Sequence, residues 1–379
     1  MATSAHERVA DRLAAAAAEG PDLVAFWREA EDAITPHVPH YMGLCWFTLD
    51  PASLLITSHF NVAIHEVPAE MLAMEHYGDD VHDVAGVARS RDGVSTLHEA
   101  AGGDPSGSPR WQANMQLGGD QELLAALRTP RGEVWGALSV HREPGAPVFT
   151  ADEVAFVRAL TPALAEGARR GLLLGGARDP DAPDAPCLMV LGRDWDLESA
   201  TPGAQRWIDE LPGGDWAAGR LPPAALSVGG SALRSAEDRD DPRDPALTRV
   251  RTRSGGWAVL HGMTLVAGGE RRVAVIVEPA HPGRIAPLLM SAYGLTEREQ
   301  EVTRLVLQGD STREIAARLV VSEHTVQQHM KAIFEKTGVR SRRDLVGKVF
   351  FAHYAPRVRD NEARAADGRP LRGGPVPAG

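Results

Sequence analysis

Lysine is almost missing from this chain of 379 residues. Of its 40 Lys+Arg, only Lys331, Lys336 and Lys348 are lysines, so none precedes position 331. That absence excludes several mechanisms from most of the chain. A phosphate-binding P-loop requires a lysine on the phosphates, a protein kinase requires one on its third strand, and Schiff-base chemistry requires a nucleophilic amine. Cysteine is nearly as scarce. Cys45 and Cys187 cannot build a disulfide framework, and a reducing cytoplasm is the expected compartment. Long apolar runs are missing too. No stretch approaches the roughly 18 residues of a membrane span. The N-terminus, with Glu7, Arg8, Asp11 and Arg12, lacks the basic start and apolar core of a signal peptide.

What is present is ordinary for a globular protein: 43% hydrophobic and 24% charged residues, enough to bury a core in each of two to four domains. The net charge of −11 is unevenly placed. Residues 291–379 hold 15 Lys+Arg against 11 Asp+Glu, a net of +4, which leaves −15 on residues 1–290. That asymmetry points to a basic nucleic-acid module carried by an acidic body.

Residues 5–35 read as helical, with apolar stripes through Val9, Leu13, Phe26, Trp27 and Ile34. Strands are expected at Gly43–Leu49 and Leu54–Phe60, parted by the turn signal Asp50-Pro51. A helix follows over Ala69–Tyr77 and a loop over 102–109. A hairpin spans Glu122–Arg142, turning at Thr129-Pro130-Arg131-Gly132. Thr150 and Glu153 form a capping box that starts a long helix. The order helix, strands, helix, hairpin, helix resembles a GAF domain over residues 5–174. A Gly-, Pro- and Asp-rich linker covers 175–186. Short strands at 187–191 and 196–200, a short helix at 202–211 and three strands between 247 and 278 are similar to a PAS-like domain over 187–280. A second linker, 281–290, precedes the C-terminal domain.

Four short helices in 291–355 follow from local chemistry. Thr296 with Glu299, Ser311 with Glu314 and Ser341 with Asp344 are capping boxes, and Ser322 with Thr325 marks another helix start. Gly309 and Gly338 are left-handed stops. Each helix carries an apolar stripe, as in Val326, Met330 and Ile333, so the four share one core. The second and third are joined by a tight turn, a helix-turn-helix. The outer face of the third shows His324, Gln327, Gln328 and Lys331. Glutamine suits adenine in the major groove, and lysine suits guanine. Thr325 sits at a helix N-terminus that favours a backbone phosphate. His324, Lys336, Arg340, Arg342 and Arg343 are further backbone-contact candidates. The tail 356–379 is expected to be disordered.

The run from Leu295 to Val346, with Ser322, Thr325, Val326, His329, Ile333, Lys336 and Gly338 in register, resembles the DNA-binding domain of LuxR/FixJ-type bacterial transcription factors. The resemblance implies that Gln327, Gln328 and Lys331 read bases and that Leu345, Val349 and Phe350 make a homodimer contact. Many members carry lysine where this chain has Gln327. The expected fold is multidomain α+β: a GAF-like α/β sandwich, a PAS-like domain and an all-α helix-turn-helix domain. The expected function is a cytoplasmic regulator of transcription that binds double-stranded DNA, with a front end that senses a small molecule or a partner. No catalytic residue, metal ligand or cofactor is indicated. The cluster His76, Asp79, Asp80, His82 and Asp83 reads as a solvated acidic loop rather than a metal site. Alternatives for the front end are a GAF-fold redox enzyme, for which residues 5–174 offer only Cys45, and a scaffold that contacts proteins alone.

Overall fold

The computed structural model describes residues 5–20, 22–61, 67–173, 183, 185–237, 246–267, 270–280, 285, 289–291, 293–348, 362 and 364–366. The chain is mixed α/β, with two antiparallel sheets followed by a helical C-terminal region. It divides into two compact units. One comprises residues 1–174, 185–253 and 258–278; the other comprises 175–184, 254–257 and 279–379.

The first unit opens with α1 (Ala5–Glu19) and α2 (Leu23–Ile34). Asp22 starts α2 by accepting the Val24 and Ala25 N–H groups, and Phe26, Trp27, Ala30 and Ile34 form its buried stripe. Strands β1 (Tyr41–Leu49), β2 (Ile56–Phe60), β3 (Val94–Thr96), β4 (Gln121–Arg128) and β5 (Val134–Arg142) form the first sheet, in the order β2-β1-β5-β4-β3. Both faces are covered, so β4 and β5 are buried along almost their whole length. Leu44, Trp46, Leu123, Ala125, Leu138 and Val140 meet α1, α2 and α7 (Ala151–Leu173) on one side. Thr150 and Glu153 cap α7 reciprocally, as the capping box implies. The opposite face packs on α4 (Val84–Arg89) and, around Cys45, Glu122 and Ser139, faces α3 (Ala69–Tyr77) and α6 (Pro109–Gln116); α5 (Leu97–Ala100) follows β3. Three of these helices and β3 were not expected. They are too short to show a period. Within the expected loop 102–109, Pro105–Gly107 is a 3-10 turn.

The second sheet holds β6 (Cys187–Leu191), β7 (Leu197–Ala200), β8 (Leu247–Arg251), β9 (Trp257–Ala267) and β10 (Glu270–Pro279), in the order β7-β6-β10-β9-β8. Met189, Leu191, Val273, Val275 and Leu260 pack with Trp207 and Ile208 of α8 (Ala204–Glu210) and with Leu226 and Val228 of α9 (Pro223–Glu237). The helical middle is thus longer than the single short helix expected, because α9 runs through Gly229-Gly230. Those glycines admit a close neighbour. A Cβ on Gly230 would lie 2.3 Å from the Ala73 carbonyl oxygen of α3. A second tie is ionic. Arg249 donates from its backbone N–H and its Nε, each at 2.9 Å, to Oδ2 of the buried Asp50.

The other unit carries α10 (Glu297–Leu307), α11 (Thr312–Leu319), α12 (Glu323–Thr337) and α13 (Arg342–Val346). Both halves of the capping box are made at Thr296/Glu299 and at Ser311/Glu314. Ser322 and Ser341 each accept the N–H three residues on. Val302, Val306, Ile315, Val326, Ile333 and Leu345 form one core. Gly309 and Gly338 have positive φ, as their stop positions require. The turn between α11 and α12 places Val320 at φ 54°, a strained setting for a β-branched residue.

Candidate functional site

Helix α12 owes its orientation to the core beneath it. Val326 and Ile333 are fully buried, and Met330 packs against them. The opposite face is therefore turned outward, and His324, Gln327, Gln328 and Lys331 are all exposed on it. Gln328 Nε2 donates to His324 Nε2 at 3.1 Å. Lys331 stands 4.0 Å from Glu335, an exposed pairing of little energetic weight. Thr325 donates its N–H to Ser322 Oγ at 3.1 Å, so this N-terminus is already capped.

The remaining cations are placed differently. Lys336 Nζ donates to both oxygens of Glu299, at 2.7 and 2.6 Å, and so ties the end of α12 to the start of α10. Burial works against the Glu299 carboxylate, but the bonds from Lys336 and the Thr296 cap outweigh it and hold its pKa below the ordinary value. Arg342 donates to the Asp310 carbonyl oxygen. Arg340 and Arg343 are exposed. Leu345 is fully buried in the core of its own domain, so its side chain supports that core and presents no surface. Val349 and Phe350, the other two dimer candidates, lie outside the described residues. Lys348 donates to the Thr337 carbonyl oxygen at 2.6 Å, where a cation suits a helix C-terminus.

A second site, not anticipated, lies under the first sheet. A cavity of about 80 Å³ opens between β1, β5, α3 and α6. Its polar floor is a buried ion network. Arg110, at the start of α6, donates from Nε to Glu122 Oε2 at 2.6 Å, from Nη2 to Glu122 Oε1 at 2.7 Å, and from Nη1 to Glu75 of α3. Glu122 also accepts from Asn114 and Ser139. Burial disfavours its ionised form, but Arg110 more than compensates and its pKa falls well below the usual range. Glu75 goes the other way: burial outweighs Arg110 and its pKa rises. Burial pushes His76 down to about 3 and His59 to about 4, and it lowers His141 as well.

His76 and His82, which the sequence placed in a solvated loop, are 5% and 1% exposed. His76 Nε2 accepts the Ile56 N–H at 3.3 Å. Asp80 accepts from Ser108 and Arg110, and Asp83 caps α4. Asp80 and Asp83 are structural parts of the cavity wall, and His76 and His82 are buried behind it. The signal for the site was present in the strands. Glu122 on β4 and Ser139 and His141 on β5 share a face with the apolar Leu124, Ala126 and Ala137.

The thiols are also placed for packing. Burial pushes Cys45 up to about 12 and Cys187 to about 11, which keeps both protonated at neutral pH. Among the described residues no helix is long and apolar enough to cross a membrane.

The capped four-helix arrangement now has relatives to be set against. The family model for bacterial regulatory proteins of the luxR family matches residues 294–349. Spore germination protein GerE of Bacillus subtilis is 44% identical over 52 residues, which is 14% of this chain and 70% of GerE. The chain belongs to the luxR family. Its C-terminal domain is that of a LuxR-type DNA-binding transcription regulator. Longer relatives match over a similarly short stretch. The transcriptional regulatory protein DesR of Bacillus subtilis is 39% identical over 61 residues, 16% of this chain and 31% of DesR. A putative HTH-type regulator of Mycobacterium tuberculosis, Rv0890c, is 48% identical over 52 residues, 14% of this chain and 6% of its own. The luxR-family regulator is also similar to the solved Vibrio cholera VqmA–ligand–DNA complex. That likeness has 16% identity, 46% coverage of this chain and 85% of the other, and a TM-score of 0.21, too low to bear on the arrangement of the front end.

Proposed function

We propose that this luxR-family chain is a homodimeric, ligand-responsive regulator that binds double-stranded DNA through α12. One observation carries the reading: a polar stripe of His324, Gln327, Gln328 and Lys331 stands exposed on a helix whose other face is locked into a capped core. In this reading Gln327, Gln328 and Lys331 meet base edges in the major groove. His324, Thr325, Arg340, Arg342 and Arg343 face the backbone. Lys336 contributes charge while it holds Glu299. Dimerisation uses the segment after α13, with Val349 and Phe350. The net of +4 on residues 291–379 supplies the sequence-independent attraction. The first sheet with its helices is a GAF-like sensory region and the second a PAS-like one. The cavity at Arg110 is the place where a small molecule would act. A thiol-based redox enzyme at the front end has no support from Cys45, which burial keeps protonated.

Operator binding by the full chain tests this. Gln327→Ala and Lys331→Ala are each expected to lower discrimination between operator and random DNA by about 1–3 kcal/mol per lost bidentate pair. Undiminished discrimination in both variants sinks the base-reading assignment. DNA affinity is expected to fall steeply with added salt, and a flat response removes the DNA claim for this interface.

A further inference from the structure

The polar floor of the cavity at Arg110 is closed on itself. Glu122 accepts from Arg110 through both oxygens and also from Asn114 and Ser139. Glu75 accepts from Arg110 and from the Val84 N–H. Asp80 accepts from Ser108 and from the backbone N–H groups of Arg110 and His82. Asp83 holds the Gly86 N–H at the start of α4. Asp79 stands in solvent. All three guanidinium nitrogens of Arg110 are engaged by carboxylates, and no other lysine or arginine lines the cavity. Burial keeps His59 and His141 neutral, and the unpartnered nitrogen of each has no accessible surface. An ion entering here would shed its water and find the charges of the wall already paired with one another, which disfavours it.

What stays open to a guest is apolar. Met42, Phe47, Ile56, Met71, Met74 and Leu117 line the space, and Cys45 adds a thiol that burial keeps protonated. Methionine side chains adapt their shape to what they enclose. An apolar cavity of about 150 Å³ holds one benzene ring, so about 80 Å³ suits a guest of roughly four heavy atoms.

We propose that this cavity takes a small uncharged molecule of mainly apolar surface, packed against Met42, Met71 and Met74, and excludes organic ions of either sign. The proposal rests on the sensing role proposed above and assigns its ligand class.

The test titrates the full chain, with isotope-labelled methionine methyl groups, against 1-propanol, 1-butanol, n-butylammonium and butyrate, and follows the methyl signals by NMR. Butanol is expected to shift the signals of Met42, Met71 and Met74 and to bind about fourfold tighter than propanol, the gain from one buried CH2. Neither ion is expected to move those signals at the concentration where butanol saturates them. Ala113→Leu, which places a longer side chain on the α6 side of the cavity, is expected to abolish the butanol shifts. Met71→Gln, similar in size but polar, is expected to weaken butanol at least about fourfold, and it serves if the first variant does not fold. Butanol that leaves these methyls unmoved, or binds no tighter than propanol, overturns the proposal. So does an ion that binds here as tightly as butanol, or butanol binding that both variants leave intact. Operator affinity, followed in the same samples, separates this from the sensing role. If either ion binds here and shifts DNA affinity, sensing stands and the ligand class falls. If butanol binds as described and DNA affinity never moves, the class stands and sensing falls.

Discussion

The two sheets of the first unit have the same strand order, second-first-fifth-fourth-third by their own count, yet they are filled in opposite ways. The inner face of the second sheet is Met189, Leu191, Val273, Val275 and Leu260, closed by α8 and α9 into an apolar core. The corresponding strands of the first carry Cys45, Glu122, Ser139 and His141, bridged by Arg110. One topology thus supports a packed core in one case and a polar cavity in the other. The difference lies in a few inward positions on β4 and β5. The strand order does not distinguish the two; the residues on the inward face do.

The strongest way to break this contrast is Arg110→Ala. It leaves Glu75 and Glu122 buried without their cation, and losing one partner of a buried ion network costs about 3–5 kcal/mol. Urea denaturation of the full chain measures it. An apolar replacement that is well tolerated at Arg110 would mean the network is dispensable and the first sheet is closer to the second than its residues imply.

Much of this was legible beforehand, and the limits have physical causes. Capping chemistry is local, so Thr296, Glu299, Ser311 and Glu314 announced the C-terminal helices before any tertiary contact was known. The hairpin β4–β5 was equally plain from its Pro/Gly turn. The polar cavity was not. Arg110 sits on α6, eight residues long, and Val84–Arg89 and Val94–Thr96 are shorter still. Such elements are decided by what they pack on rather than by period. Ser108-Pro109, a cap followed by proline at the first helical position, was the one local sign of α6. Helix α9 was hidden for another reason: Gly229-Gly230 reads as a break, and only the nearness of α3 explains it. Lys336 shows the converse. Its position in the motif suggested a phosphate contact, while its two bonds to Glu299 depend on how α10 and α12 pack.

The two halves meet where α3 packs on α9, and Gly230→Val tests how firmly. Added carbons would drive into the Ala73 carbonyl, a clash against backbone that no rotamer relieves. Overpacking of this kind costs up to about 3 kcal/mol. Because α3 carries Glu75, Met71 and Met74 on the cavity side, the variant is also expected to loosen that wall, seen as faster amide exchange in α3. A stable variant with unchanged exchange in α3 would show that the cavity wall is independent of the second sheet.

Mild acid gives the last separation. His59, His76 and His141 are all held neutral by burial, and all belong to the first sheet and its helices. Each is harder to protonate folded than unfolded. The unfolded chain therefore binds more protons as pH drops below the ordinary histidine value of 6.5. Stability from these groups is full above that value and is lost as pH falls through 6.5 toward about 3 for His76. Between pH 7 and pH 5 the loss is about 2 kcal/mol for His76 alone, because the unfolded chain takes up the proton while folded His76 stays neutral. The second sheet has no counterpart in the described residues: His261 is paired with Glu278 at 3.0 Å. Amide hydrogen exchange at pH 7 and pH 5, corrected for intrinsic rates, is expected to show β1, β2 and β5 losing protection ahead of β6 and β10. Equal loss in both sheets would mean that the buried histidines do not set the acid limit, and that the two halves open as one.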